Sequence, residues 1–277
     1  MSKAPTTPRL LLVTDRHRAR LPLPELAARA IQGGVDVVQV REKDLSTSEL
    51  LSLCSSVLDA IGDPSRLMVN GSPSVSTSLG IGLHVPESKI EAMRIRPSEL
   101  TLCSRAFHAE STVSDVTAFN FAIVGHVFET GGKAGRPPLG LDRLRIIAQG
   151  LPIPVLAIGG MTPERVASVL STGAKGVAVL SAINESFEPE NVAASFEKAL
   201  EKAMSEQKQE LMSITLNGKP VTIPRGTTVT GYLASRNFHE RMVVVELNGT
   251  ILPKKEFEET VLTAGDKVEI VHFVGGG

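Results

Sequence analysis

Short runs rich in Val, Ile and Leu alternate with longer segments of helical period eight times between Arg9 and Met204. That alternation is the pattern of parallel βαβ units, in which each apolar strand is followed by a helix that covers it. The runs fall at 10–14, 36–40, 67–70, 81–84, 101–104, 121–124, 155–158 and 176–180, with helical patterns at 23–32, 48–61, 141–149, 163–171 and 189–204. Eight such units in about 200 residues predict a closed (β/α)8 TIM barrel. In a barrel the C-terminal strand ends ring one mouth, so residues far apart in sequence become neighbours. Just beyond the strand ends stand Asp15 and Arg16, Arg41 and Lys43, Asn70, His84, Arg105 and His126.

His126 lies in the stretch Gly125-His126-Val127-Phe128-Glu129-Thr130, which follows the sixth run. A histidine at a strand end is where a barrel displays a proton-transfer group. Two glycine signals add a ligand class. Gly159 and Gly160 close the seventh run ahead of a helix start at Thr162-Pro163-Glu164, and the eighth run leads into Leu180-Ser181. Backbone N–H groups left open by glycine after these strands commonly hold a phosphate.

At 277 residues the chain exceeds one barrel, and its composition changes near 201–210, where Glu, Lys and Gln dominate. The expected division is a barrel at 1–205, a linker at 206–211 and a second domain at 212–277. The second domain reads as a hairpin closed by Asn217-Gly218, a helix near 229–235, a strand at 242–247 followed by Asn248-Gly249, and a last strand at 267–274. Two hairpins, one helix and a final strand suggest a β-grasp module, which ends in Gly275-Gly276-Gly277. Such a thin tail can thread into another enzyme's channel and present its carboxylate for activation.

The net charge is −1 with no block of like charge, no Trp and one Tyr, which points away from nucleic acid. No run approaches bilayer length, and Cys54 and Cys103 have no metal-ligand or disulfide spacing. The expectation is a cytoplasmic protein with no metal and no cofactor, acting on a small molecule with protein partners; a homo-oligomer is left open.

Five motifs carry a family likeness: Leu12-Val13-Thr14-Asp15-Arg16, the stretch Val38 to Asp44, Gly82-Leu83-His84, Ala157-Ile158-Gly159-Gly160 and Gly176-Val177-Ala178-Val179. Through them the barrel resembles the thiamine phosphate synthase and thiazole tautomerase superfamily. The C-terminal part resembles the ubiquitin-like thiamine sulfur carriers that end in Gly-Gly. Synthases of the superfamily hold a magnesium pyrophosphate with an Asn-Asp pair after the third strand and an Asp after the fourth. The matching positions here are Asn70-Gly71 and Lys89, and a serine of the synthase pattern is Ala106. Replacing a magnesium carboxylate by lysine removes an oxygen ligand and adds repulsion. The Gly-His-Val-Phe-Glu-Thr segment instead resembles the tautomerase branch, whose histidine is the acid–base catalyst.

The resemblance implies a carboxylated thiazole phosphate as substrate, His126 as proton carrier, and Gly159, Gly160, Leu180 and Ser181 as the phosphate site. Gln39, Arg41, Lys43, Asn70, His84 and Thr130 would line the remainder. It also implies thiazole synthase as a partner, and an adenylating, sulfur-transferring enzyme that acts on Gly277. Imidazole, with an unperturbed pKa of about 6.5, can both take and return a proton near neutrality. The alternatives are a thiamine phosphate synthase fused to the carrier, a non-catalytic barrel that serves sulfur delivery, and sulfur donation to another cofactor pathway.

Overall fold

The computed structural model describes residues 7–89, 102–107, 116, 119–131, 137–209, 211–236, 238–239 and 242–272. The chain divides into two compact units, Met1–Ala203 and Met204–Gly277. In the first, β1 (Leu10–Val13), β2 (Val37–Val40), β3 (Leu67–Asn70), β4 (Gly82–Val85), β5 (Cys103–Phe107), β6 (Phe121–Gly125), β7 (Val155–Ile158) and β8 (Gly176–Val179) close a barrel in chain order. All neighbouring pairs are parallel, and β8 returns to β1. The TIM-barrel expectation therefore holds. The strands are apolar on both faces because each is covered twice. Leu11, Val13, Met68, Phe121, Ile123 and Leu156 fill the interior, and the alternate residues Leu10, Leu12, Val38 and Val40 meet the helices.

The helices are α1 (Leu23–Gln32), α2 (Thr47–Ile61), α3 (Pro73–Leu79), α4 (Gly140–Gly150), α5 (Val166–Leu170), α6 (Ser181–Asn184) and α7 (Pro189–Gln209). The bounds of α2 are set by local chemistry. Ser46 and Glu49 form a reciprocal capping box, and Gly62 ends the helix at φ 73°. Three helical segments depart from the sequence reading. The helix expected at 163–171 is a 3-10 turn, Pro163–Arg165, that continues as α5. The helix α3 has too many Ser and Thr to be evident; it is fixed by burial of Val75 and Ser76 and by the Ser76 hydroxyl on the Ile81 carbonyl at 2.6 Å. Residues 206–209, expected as linker, are the last turn of α7, since Glu, Lys and Gln favour helix and no glycine or proline interrupts them.

The second unit contains β9 (Leu211–Leu216), β10 (Lys219–Pro224), α8 (Val229–Ser235), β11 (Val243–Leu247), β12 (Thr250–Leu252) and β13 (Lys267–His272). Its sheet runs β10-β9-β13-β11-β12, with only β9 and β13 parallel, which is the β-grasp arrangement. Both hairpins turn on Asn-Gly pairs with positive φ, 44° and 74° at Asn217-Gly218 and 53° and 85° at Asn248-Gly249. The Thr228 hydroxyl caps α8 by accepting from the Gly231 N–H at 3.1 Å. Tyr232 and Leu233 of α8 pack on Ile214, Val243, Val245 and Val268. Gly276 and Gly277 lie outside the described residues.

Candidate active site

Successive strand residues point to opposite faces, so inward residues that pair across adjacent strands form a ring. Asn70 pairs in register with His84, and His84 with Ser104. Gln39 Nε2 reaches Asn70 Oδ1 at 3.5 Å, and His84 Nδ1 lies 2.8 Å from Ser104 Oγ. Gln39 and His84 are 2% and 5% exposed, and Gln39 Oε1 has no hydrogen-bond partner among the described residues. Ile123, Ile158, Leu180 and Val13 make the other half of the ring apolar. The ring thus offers polar groups along one edge and hydrocarbon along the other. Ser104 was not foreseen; its signal was its place on the inward face of a strand, which depends on the strand's true register.

Beside this ring, β1 and β2 end in a charge network whose organiser is Glu42, 5% exposed. Its carboxylate accepts from the Thr14 hydroxyl at 2.6 Å, from the Arg16 N–H at 3.1 Å and from Arg16 Nη1 at 3.2 Å. Thr14 Oγ1 in turn accepts the Arg41 N–H at 3.1 Å. Arg16 also pairs with Asp44, which raises the guanidinium pKa and holds the Asp44 carboxyl well below the usual carboxylate range. Glu42 and Asp44 are thus committed to Arg16, while Arg41 and Lys43 have no ion pair with a described residue. Arg41 lowers the pKa of Lys43, with burial adding to the effect. Two cations that repel each other favour an anionic ligand between them. Glu42→Ala leaves the Thr14 hydroxyl and the Arg16 donors without their acceptor, and unfolding in urea is expected to show a loss of about 2–4 kcal/mol.

His126 stands half-buried at the end of β6, after a cis Gly125–His126 peptide. Its loop lies directly on the turn after β7. The Val127 N–H donates to the Ile158 carbonyl at 2.9 Å, and the Phe128 N–H to the Gly159 carbonyl at 3.2 Å. A Cβ on Gly159 would overlap His126 Cβ and lie 2.7 Å from His126 Cα; one on Gly160 would lie 2.7 Å from the Glu129 carbonyl oxygen. Gly159 and Gly160 hold φ 102° and 63°. Glycine is required at both for space and for conformation. Thr130 follows on the same loop, half-buried. At the neighbouring strand end Ser181 opens α6 with Leu180 as its N-cap residue and no side-chain cap. Buried Asn184 ties β8 to β1: its Nδ2 donates to the Leu180 and Val13 carbonyls at 2.7 and 2.8 Å, and its Oδ1 accepts the Asp15 N–H at 3.1 Å. Thr14, Glu42 and Asn184 escaped sequence reasoning because their importance lies in contacts across 28 to 171 positions of chain.

One residue assigned to the mouth does not belong there. The strand expected at 101–104 is Cys103–Phe107, so Arg105 lies within β5. Ser104 faces inward, and Arg105 therefore faces outward with Cys103 and Phe107. Its guanidinium lies 5.4 Å from the Phe107 ring and 5.7 Å from the Phe119 ring. Burial pushes its pKa down, and Glu87 opposes that shift.

A barrel of this order, with glycine turns after β7, matches the model described as thiamine monophosphate synthase over residues 10–183. The chain belongs to the thiamine monophosphate synthase family. Residues 214–277 match the ThiS family model, so the family barrel is joined here to a ThiS domain. Similar curated proteins include the thiamine-phosphate synthase of Chlorobium luteolum, 30% identical over 69% of this chain and 92% of that one. That of Roseiflexus sp. is 32% identical over 71% of this chain and 86% of its own. A solved structure, thiamine phosphate pyrophosphorylase from Pyrococcus furiosus, shares the fold with a TM-score of 0.59 at 22% identity, covering 71% of this chain and 96% of that chain. These relatives carry the synthase name, whereas the segment at His126 resembled the tautomerase branch.

Thiamine biosynthesis is thus the setting of both domains, and the barrel is an enzyme of this family. The magnesium site that the synthase resemblance implies does not fit the residues present. Asn70 is followed by Gly71 at φ 68°, position 89 is lysine, and Glu87 lies near Arg105. Among the described residues no three His, Cys, Asp or Glu side chains gather as for a metal ion. No helix among them is long and apolar enough to cross a membrane.

Proposed function

We propose that the barrel is a thiazole tautomerase, which converts the ylidene tautomer of a carboxylated thiazole phosphate into the aromatic one. The observation that carries this reading is a histidine at the end of β6 whose Cα and Cβ lie against Gly159 of the Gly159-Gly160 turn. His126 takes the ring proton, the electron pair moves into the ring as it becomes aromatic, and the imidazolium returns a proton to the exocyclic carbon. The charge and the proton count are unchanged across the reaction.

The supporting groups take their roles from their chemistry. Backbone N–H groups at Gly159, Gly160, Leu180 and Ser181, with the Thr130 hydroxyl, hold the phosphate. Arg41 and Lys43, which have no ion pair with a described residue, attract the carboxylate, and Gln39, Asn70 and His84 meet the polar edge of the ring. The test is turnover of the isolated ylidene tautomer by the full chain.

The names of the relatives favour a second reading, coupling of a pyrimidine pyrophosphate to the thiazole phosphate. Supplying both substrates with magnesium separates the two. Product in that assay, with no acceleration of tautomerisation, replaces the first reading by the second.

The ThiS domain supports a role as sulfur carrier to thiazole synthase. Incubation of the full chain with its adenylating enzyme, ATP and a sulfur source is expected to convert the Gly277 carboxylate to a thiocarboxylate. The intact mass rises by about 16 Da as sulfur replaces oxygen; an unchanged mass counts against the carrier role.

A further inference from the structure

Two loops meet at the proposed site, one bearing His126 and the other Gly159-Gly160, and one side chain from outside it touches both. Arg165 ends the 3-10 turn after the glycines. Its Nη1 donates to the Gly160 carbonyl at 2.5 Å, and its guanidinium carbon lies 4.4 Å from the centre of the Phe128 ring. Phe128 is two residues beyond His126, and its own N–H donates to the Gly159 carbonyl at 3.2 Å, longer than the 2.9 Å bond from Val127 to Ile158. Arg165 is exposed and makes no ion pair with a described residue. An exposed arginine more commonly finds a carboxylate or water; here its planar group is used on a carbonyl and a ring, one from each loop.

We propose that Arg165 is a positioning residue, a latch that holds the His126 loop against the Gly159-Gly160 turn. It acts through Phe128 and the Gly160 carbonyl and does not contact the ligand. The catalytic part of this inference rests on the tautomerase reading. If one loop carries the proton-moving imidazole and the other the bound phosphate, the latch sets the distance between them. Misplacement by about 1 Å can cost 10²-fold in rate.

The test compares the full chain with Arg165→Met, which keeps the aliphatic stem, Arg165→Lys, which keeps a donor, and Phe128→Leu. Amide hydrogen exchange at Val127 and Phe128 is expected to accelerate about tenfold in Arg165→Met while Ile123 and Val124 within β6 keep their protection. In the tautomer assay kcat is expected to fall roughly tenfold with KM little changed, and Arg165→Lys to recover part of it. The effect of Arg165→Met should shrink in the Phe128→Leu background, since the two act as one unit. Unchanged exchange at Val127 and Phe128 overturns the latch whatever the turnover. A rise in KM with kcat intact also overturns it, because that result makes Arg165 a ligand-binding group. Exchange that responds as expected in a protein without tautomerase activity upholds the latch and removes the proposed reaction.

Discussion

His126→Asn is expected to lower kcat for tautomerisation by roughly 10² to 10⁴ while the aromatic product binds with unchanged affinity. Asparagine keeps a polar side chain at this half-buried strand end but cannot exchange a proton near neutral pH. The backbone bonds that anchor the loop, Leu139 N–H to the His126 carbonyl at 2.8 Å and Val127 N–H to Ile158, do not involve the imidazole. Those bonds remain available in the variant, and thermal unfolding checks that the fold is kept. The measurement is single-turnover conversion of the ylidene tautomer beside calorimetric binding of the product. Full turnover by the variant would remove His126 from the mechanism.

The second large effect belongs to a residue with no side chain. Gly159→Ala is expected to cost about 2–4 kcal/mol of stability and more than tenfold in turnover, as positive-φ strain and overpacking combine. The new methyl would overlap His126 Cβ, and the backbone at φ 102° is poorly suited to alanine. Relief requires the His126 loop to move away from the turn, so stability and rate should fall together. Chemical unfolding and the tautomer assay on the same preparation check both. Gly62→Ala is the control: it has positive φ of 73° but nothing within 4 Å of the added methyl, so any effect should be on stability alone.

The barrel was legible in the sequence because its signals are local. Apolar runs such as Leu10–Val13 and Val155–Ile158 are bounded by polar or glycine-containing turns, and α2 is marked by its period, its capping box and its closing glycine. The Asn-Gly hairpins of the ThiS domain were evident for the same reason: the dipeptide itself prefers the required positive φ. Errors fell where local signals were weak or misleading. Arg105 reads as a mouth residue when the strand is ended at 104; the strand runs on to Phe107, and within it Arg105 alternates with the inward Ser104 and faces out. Helix α3 is poor in helix formers and is held by what it packs on.

The sequence by itself determined the two folds, their order along the chain and the residue types present at the strand ends. These follow from periodicity, turn chemistry and glycine, each acting over a few residues. Only the tertiary structure decided which of those residues work together. It paired Glu42 with Thr14 and Arg16, so that Arg41 and Lys43 remain without carboxylate partners among the described residues. It set Gly159 against His126 and turned Arg105 away from the barrel interior. The physical reason is that side-chain chemistry depends on neighbours brought together by barrel closure, and closure joins positions such as Val13 and Asn184, 171 residues apart.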